Sequence, residues 1–511
     1  MSFYLEQNGD DNAKNGIDNE DVLQTDESKF LNEGNVDLQD EEYINKAKDE
    51  LGANIDFITR KINGSFGNVY LLFLKSMTDK DEIAKQIIMP ILNYKDEFDY
   101  NKLKFNILLS TEINDTTLDD EINDILDNKV VLIFKGRALS IDLEKVPLRE
   151  PTEPPTSPNI HGPREGFVES IKSNICLIRK RLPTKNLEIL NLNVGRHTKT
   201  KIQILYLNNI AINNIVEEIK TKISRIDIDG IIDSYYIAEF LKCKPYSLFE
   251  QVGFQEKPDI VVAKMLEGRV AIMVDGSPIV LTLPYMVFED FQSSNDYYTN
   301  YIYVNFIRII RTIGLLIATV IPGVYLSIRL HSYRVLPINY IITIANSTKN
   351  LPFTPLLEIV FILLLFQVLY EVSLRLPQYL GLATSIVGAL VLGDTGVQAG
   401  LISPPGVIIV AVSIMAIYTV PAQASTLTIL RAIFVVLGAT LGIVGIMCGV
   451  IYIINYVNTL NFYDTPYLAP YSPRIKTDLK DAMFKKPLKD MVKRPKSIPE
   501  KNNIRLGGKN E

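Results

Sequence analysis

Between residues 312 and 456 the chain carries runs of apolar residues longer than an ordinary soluble core would need. About 20 residues, rising 1.5 Å each, cross the hydrocarbon layer of a bilayer. Four stretches are apolar over that length, with their flanks: 312–330, 355–374, 407–423 and 432–456. The mean hydropathy of the whole chain is +0.12 and 47% of its residues are hydrophobic, so part of it belongs in lipid. Ahead of the first run, "DYYTNYIYVNFIRIIRT" gathers Tyr297, Tyr298, Tyr301 and Tyr303. Tyrosines favour the headgroup layer, which predicts an interfacial helix leading into the membrane.

A fifth stretch, "SIVGALVLGDTGVQAGLISPPG" at 385–406, is apolar but interrupted. A carboxylate at mid-bilayer costs about 2.5–3.5 kcal/mol on insertion scales, so Asp394 must face protein, water or a partner. The glycines around it let the backbone unwind, and Pro404-Pro405 stop a helix. Irregular backbone at membrane depth is tolerated where protein buries it or where it lines a wet cavity. The expectation is a re-entrant or broken segment over 380–403. Asp394, Thr395, Gln398 and Ser403, with Gln367 of the second span, would line a polar path for ions or small solutes. Asp394 capping a half-helix is the compatible alternative. Glu358 and Glu371 read as interfacial charges, with Glu371 and Arg375 at ion-pair spacing. In the last run Gly438, Gly442, Gly445 and Gly449 recur at four- and three-residue spacing. That pattern permits close helix packing, within one chain or between copies.

The rest of the chain divides by composition. Residues 1–50 are acidic and poor in aromatics, an expected disordered tail, with a short helix conceivable around "EEYINKAKDEL". Residues 51–150 alternate strand and helix patterns. A proline-rich linker follows at 151–162. Residues 163–295 form a second mixed α/β unit, where "VDGS" joins two apolar runs as a hairpin turn. Gly162, Pro163, Arg164 and Glu165 sit where linker meets helix, with Pro163 expected near the first turn. The fold class is therefore an α+β N-terminal region of two small mixed domains, followed by a polytopic α-helical membrane domain at 296–460. A basic tail occupies 461–511. Lysine and arginine in that tail, and the lack of an export signal at the N-terminus, predict that both ends are cytoplasmic. An even number of crossings follows: four spans plus the re-entrant segment.

Several function classes drop out. Cys176, Cys243 and Cys448 are too far apart for a disulfide framework or a zinc site, and the three histidines are scattered. No phosphate-binding glycine loop, Gly-x-Ser-x-Gly elbow or paired-histidine motif occurs. The expectation is no catalytic residue, no metal and no cofactor. The formal net charge is −6 and no aromatics interleave with the basic residues, so nucleic acid is not an expected partner.

Five segments together closely resemble the GerA family, the A subunits of spore germinant receptors. They are "GPREGFVES" from Gly162, "KPDIVVAKMLEGRVAIMVDGSPIVLTLP" from Lys257, "DYY" from Asp296, "RLP" from Arg375 and "SIVGALVLGDTGVQAGLISPP" from Ser385. The resemblance runs from about residue 51 to 463. A close relative in the family, the stage V sporulation protein AF type, shares these motifs. The resemblance implies a place in the inner spore membrane, beside a transporter-like B subunit and a lipoprotein C subunit. It implies a homo-oligomer of A subunits whose central ion path opens when nutrient binds. The acidic N-terminus departs from the family, so no role carries over to it. The alternatives are a non-conducting membrane scaffold and a secondary transporter. The latter usually shows internal repeats and more spans.

Overall fold

The computed structural model describes residues 38–52, 56–64, 67–75, 77–94, 100–108, 113–117, 120–127, 129–143, 161–349, 351–375, 388 and 391–505. The expected disorder of 1–37, most of the 151–162 linker and much of 380–390 lie outside the described residues.

The first unit opens with α1 (Leu38–Leu51) and the hairpin β1 (Phe57–Gly64) and β2 (Gly67–Leu74). Two helical runs follow, α2 (80–93) and α3 (100–107), then β3 (Ile113–Thr116), α4 (Glu121–Leu126), β4 (Lys129–Phe134) and β5 (Arg137–Asp142). The strands form one antiparallel sheet in the order β1-β2-β4-β5-β3. β4 reads "KVVLIF" and is buried on both faces, because α2 and α3 cover one side while α1 and α4 cover the other. The acidic tail therefore ends earlier than its composition suggests. Ile44, Ala47 and Leu51 of α1 are buried against Leu72, Ile125 and Val131, and that apolar contact orders 38–51 despite its charge.

The second unit repeats this plan. It runs α5 (Ile171–Arg181), β6 (Leu187–Val194), β7 (Thr200–Leu207), α6 (Asn213–Ser224), α7 (Ser234–Leu241), β8 (Gly253–Gln255), α8 (Pro258–Met265), β9 (Val270–Val274) and β10 (Val280–Leu283). The sheet order is β6-β7-β9-β10-β8, again antiparallel. Strand for strand and helix for helix, the two units share one topology. The hairpin at Asp275-Gly276 forms as its sequence dictates, with Gly276 at φ 90°. α5, however, starts at Ile171, well past Pro163. Phe167 and Val168 are buried as extended chain, and Phe167 N–H bonds Glu256 O, which holds the segment off helix.

The helical part begins with α9 (Tyr301–His331), which fuses the expected interfacial helix and first span into 31 residues. A short apolar helix, α10 (Ile338–Thr348), and then α11 (Pro355–Arg375) follow. After a broken stretch at 391–398 come α12 (Pro404–Ile417) and α13 (Ala424–Asn458). Among the described residues three helices, α9, α11 and Pro421–Asn458, are long and apolar enough to span a membrane; α12 is shorter.

The last of these is not one rod. Gly442 has φ 62° and ψ −147°, outside helical space and open essentially to glycine alone. A Cβ built on Gly445 would stand 2.8 Å from Leu437 O, and one on Gly449 would stand 3.0 Å from the Phe434 ring. In a straight helix residues 437 and 445 would be about 12 Å apart. α13 therefore folds back at Gly442 into two antiparallel arms, 424–441 and 443–458, each roughly 24–27 Å long. The single span expected over 432–456 is thus a hairpin. Hydropathy could not reveal it, because the turn contains no polar residue.

Contacts at the helix ends fix the order of passes. Arg329 near the end of α9 meets Glu358 at the start of α11, and Ser403 before α12 meets the same Glu358. These mark the end of the bundle far from the sheets. Tyr370 and Tyr418 pair their rings at 6.5 Å at the opposite end. Arg375 and Ser403 thus lie at opposite ends of the bundle. The first arm of α13 begins beside the second unit, where Thr426 Oγ1 donates to Leu248 O at 2.6 Å. It reaches His331 at Gly442, and the second arm returns to place Val457 in the second unit's core.

Residues 461–505 are no free tail. β11 (Asn461–Phe462) and β12 (Thr465–Pro466) form a small ribbon, and Tyr467 is fully buried with Leu281 and Tyr285. Tyr463 OH donates to Leu241 O, Arg494 Nε to Leu266 O, and Lys501 N–H to Ile210 O. The segment read as a basic tail is strapped along the second unit by hydrogen bonds to its backbone carbonyls.

Candidate functional site

The junction between the second unit and the bundle holds the densest buried charge in the described residues. The short helix Asn295–Tyr298 presents Asp296, which is 3% exposed. Asp296 Oδ2 accepts from Arg308 Nε at 3.0 Å and Arg311 Nη1 at 2.8 Å, and Oδ1 accepts from Arg311 Nη2 at 2.9 Å. Arg308 and Arg311 are one turn apart on α9, so one helical face delivers both. Arg308 also donates through Nη1 to Asp481 Oδ1 at 3.0 Å and to Ala482 O at 2.7 Å. Tyr297 OH closes the ring onto Asp481 Oδ2 at 2.9 Å. Burial pushes the Asp481 carboxyl up, against the pull of Arg308. Domain, first membrane helix and strap thus meet on two carboxylates.

A second layer lies beside it. Glu289 Oε2 accepts from Lys264 Nζ at 2.6 Å, and Arg269 is bonded to Oε1. Burial alone would raise the Glu289 carboxyl, but Arg269 and Lys264 outweigh it and hold it below the usual range. Its neighbour Asp290 has no cation in bonding range among the described residues. It accepts from Tyr285 OH and from Gln423 Nε2, the latter at 2.7 Å. Burial lifts Asp290 to about 7 in spite of these two bonds. Gln423 immediately precedes α13, so a carboxyl that titrates near neutrality touches the entry to the hairpin.

The far end carries a smaller polar cluster. Glu358 is fully buried and accepts from Arg329 Nη1 at 2.6 Å, from Ser403 N–H at 2.9 Å and from Ser403 Oγ. The reading of Glu358 as an interfacial charge is therefore corrected: Arg329 pairs with it and Ser403 hydrogen-bonds it where the helices bury it. Arg375 and Glu371 do pair, exposed at the other end.

The five residues expected to line a path are not brought together in one chain. Asp394 and Gln398 bond to each other, four residues apart, and both are exposed on the outside of the bundle with Thr395. Ser403 is buried on Glu358, and Gln367 faces outward from α11. Of the glycines, Gly438 packs against Gly323 of α9 so closely that a Cβ would sit 2.2 Å from Gly323 O, while Gly442, Gly445 and Gly449 shape the hairpin. At the linker, Gly162 adopts φ 92° under the Tyr298 ring, Lys257 Nζ donates to Pro163 O, Glu165 pairs with Arg181, and Arg164 is exposed.

In the sequence Asp296 stands out only as the start of the "DYY" segment, and no site role is assigned there to Asp296, Arg308, Arg311, Asp481, Glu289 or Asp290. The further signal in the sequence is the Arg308–Arg311 spacing at a membrane entrance.

Comparison with known proteins places the chain in a family. The family described as Bacillus/Clostridium GerA spore germination protein matches residues 45–497. The chain is 31% identical over 477 residues to spore germination protein KA of Bacillus subtilis strain 168, covering 91% of this chain and 87% of that one. It is 30% identical to spore germination protein XA of Bacillus anthracis, covering 87% and 92%. Among solved structures, the N-terminal domain of the A subunit of the Bacillus megaterium spore germinant receptor GerK3 matches with TM-score 0.34 and 23% identity, over 47% of this chain and 92% of that one. The chain belongs to the GerA family of spore germination proteins.

Proposed function

We propose that this chain is the membrane subunit of a spore nutrient germinant receptor, and that several copies surround an ion path that opens when nutrient binds. The observation that carries the reading is the position of Asp394 and Gln398. Both are polar, both belong to the broken stretch, and both lie on the outer surface of a single bundle. Facing lipid there would cost about 2.5–3.5 kcal/mol for the carboxylate alone. Neighbouring copies that enclose these residues around water remove that cost. Several copies arranged around an axis are the natural way to surround such a path.

The buried junction then acts as the coupler. Movement of the second unit reaches α9 through Asp296 and reaches α13 through Asp290 and Gln423. A transporter-like B subunit and a lipoprotein C subunit are the expected partners, in the inner spore membrane, with the sheets and strap on the cytoplasmic side. The test is Asp394→Leu with Gln398→Leu in spores that carry the variant in place of the native chain. Altered nutrient-triggered ion release, with the subunit still present at normal level in the membrane, supports the path. Unchanged release, or loss of the assembled receptor, favours a scaffold instead.

A further inference from the structure

The segment that joins α7 to β8, "KCKPYSLFEQV" from Lys242, carries the most exposed large side chain of the described residues. Tyr246 is 99% exposed, with Leu248 at 41% and Phe240 at 46%. Such a cluster is costly in water. Its position is fixed from behind. Leu248 O accepts the Thr426 hydroxyl at the start of the first arm of α13, and Phe249 packs on Tyr456 of the second arm at 6.1 Å. Tyr246 is two residues from Leu248, within about 7 Å along the chain. The cluster therefore stands at the level where the hairpin enters and leaves the apolar layer. Lys244 is exposed beside it, 5.9 Å from the Tyr456 ring.

We propose that residues 240–248 of the second unit dock into the phospholipid headgroup layer on the sheet side of the bundle, with Tyr246 and Leu248 in the acyl boundary and Lys244 on lipid phosphate. Tyrosine suits that boundary because its ring is apolar and its hydroxyl stays wet. A lysine near an anionic surface adds attraction. Beside it the base of the hairpin turns apolar side chains outward, Ile429 on the first arm and Tyr452 and Ile454 on the second. The cluster prolongs that surface at its own level, which selects lipid as the occupant over water or protein. The second unit would then be seated on the bilayer at a second point, apart from its covalent link to α9. This inference requires the apolar helices to lie in a bilayer and is independent of the ion path.

The chain contains no tryptophan, so Tyr246→Trp installs a single reporter in the full-length protein. Tyr246 packs on nothing, so folding is not at issue. The protein is reconstituted into vesicles of phosphatidylcholine and phosphatidylglycerol whose acyl chains carry bromine close to the headgroup. Emission should fall at least about twofold against unbrominated vesicles. Phe105→Trp, on the exposed surface of the first unit, should not respond. Adding Lys244→Glu should weaken the quenching in vesicles rich in phosphatidylglycerol. Emission that ignores bromine but is quenched by aqueous iodide would place the cluster in water and overturn the proposal. Emission shielded from both would mean that protein, such as a second copy, covers it, and would overturn it equally.

Discussion

The two soluble units have the same order of helices and strands, yet they are attached to the rest of the molecule very differently. Among the described residues the first buries the single carboxylates Asp40, Asp56 and Glu121, and it touches the second beside α1 and α5, where Arg179 meets Asp56 at 3.3 Å and Lys185 meets Glu50. The second buries Lys257, Arg269, Glu289 and Asp296, and it shares its core with Val457 and Tyr467 from the far end of the sequence. One topology thus serves two mechanical roles. The first unit is an appendage, and the second is continuous with the membrane bundle. Sheet order does not decide coupling; the buried carboxylates and the returning strap do.

Breaking the junction should have the largest effect. Asp296→Ala strands Arg308 and Arg311 without their shared acceptor, and losing one partner of a buried pair costs about 3–5 kcal/mol. Thermal unfolding of the purified chain should show the second unit and bundle melting apart, while the first unit melts unchanged. A single unchanged transition would remove the distinction between the units. Gly442→Ala should come next. The alanine would be forced into a conformation costing about 1–3 kcal/mol, against a His331 ring already 3.2 Å from its Cβ position. Distance measurements between spin labels at 430 and 453 should then report an opened hairpin, whereas an intact short distance would contradict the fold-back.

The first unit has a smaller, pH-dependent sensitivity. Glu121 is buried beneath α1 with neither carboxylate oxygen bonded, and burial lifts it from 4.5 to about 8. Below the ordinary value it is protonated whether or not α1 is docked, and docking is at full strength. As pH climbs toward 8 the undocked form ionises first, so docking weakens across that window and then levels off. Hydrogen exchange of 43–51 should accelerate with pH beyond its intrinsic rise, and Glu121→Gln should flatten that excess. The smallest effect is expected for Lys185→Ala, which removes an exposed contact with Glu50 worth at most about 1 kcal/mol. A larger loss in chemical denaturation would show that the first unit is coupled more tightly than its contacts suggest.

Much of this was legible residue by residue. The "VDGS" hairpin, the alternation of strand and helix over 51–150 and the apolar helices follow from periodicity and turn chemistry, and the break around Asp394 announces itself. Three features were not legible. The shared topology of the two units leaves no repeated residue pattern, because each sheet meets the same geometry with different side chains. The fold-back at Gly442 has no polar marker in a run of apolar residues. The junction joins Arg308 to Asp481 across 173 positions, and no local pattern records so distant a partner. Glu358 was misread for the same reason: its cation lies 29 residues upstream on another helix.

The strap has a consequence for how the protein is made. Tyr467 and Ile498 fill positions inside a unit whose first strand is built from residues 187–194. A ribosome must therefore complete every membrane pass before that unit can close. Until then its half-finished core and unpaired carboxylates stay exposed to chaperones and proteases. A premature stop codon between the hairpin and Ile498 would spare all the apolar helices and still leave the second unit without part of its core.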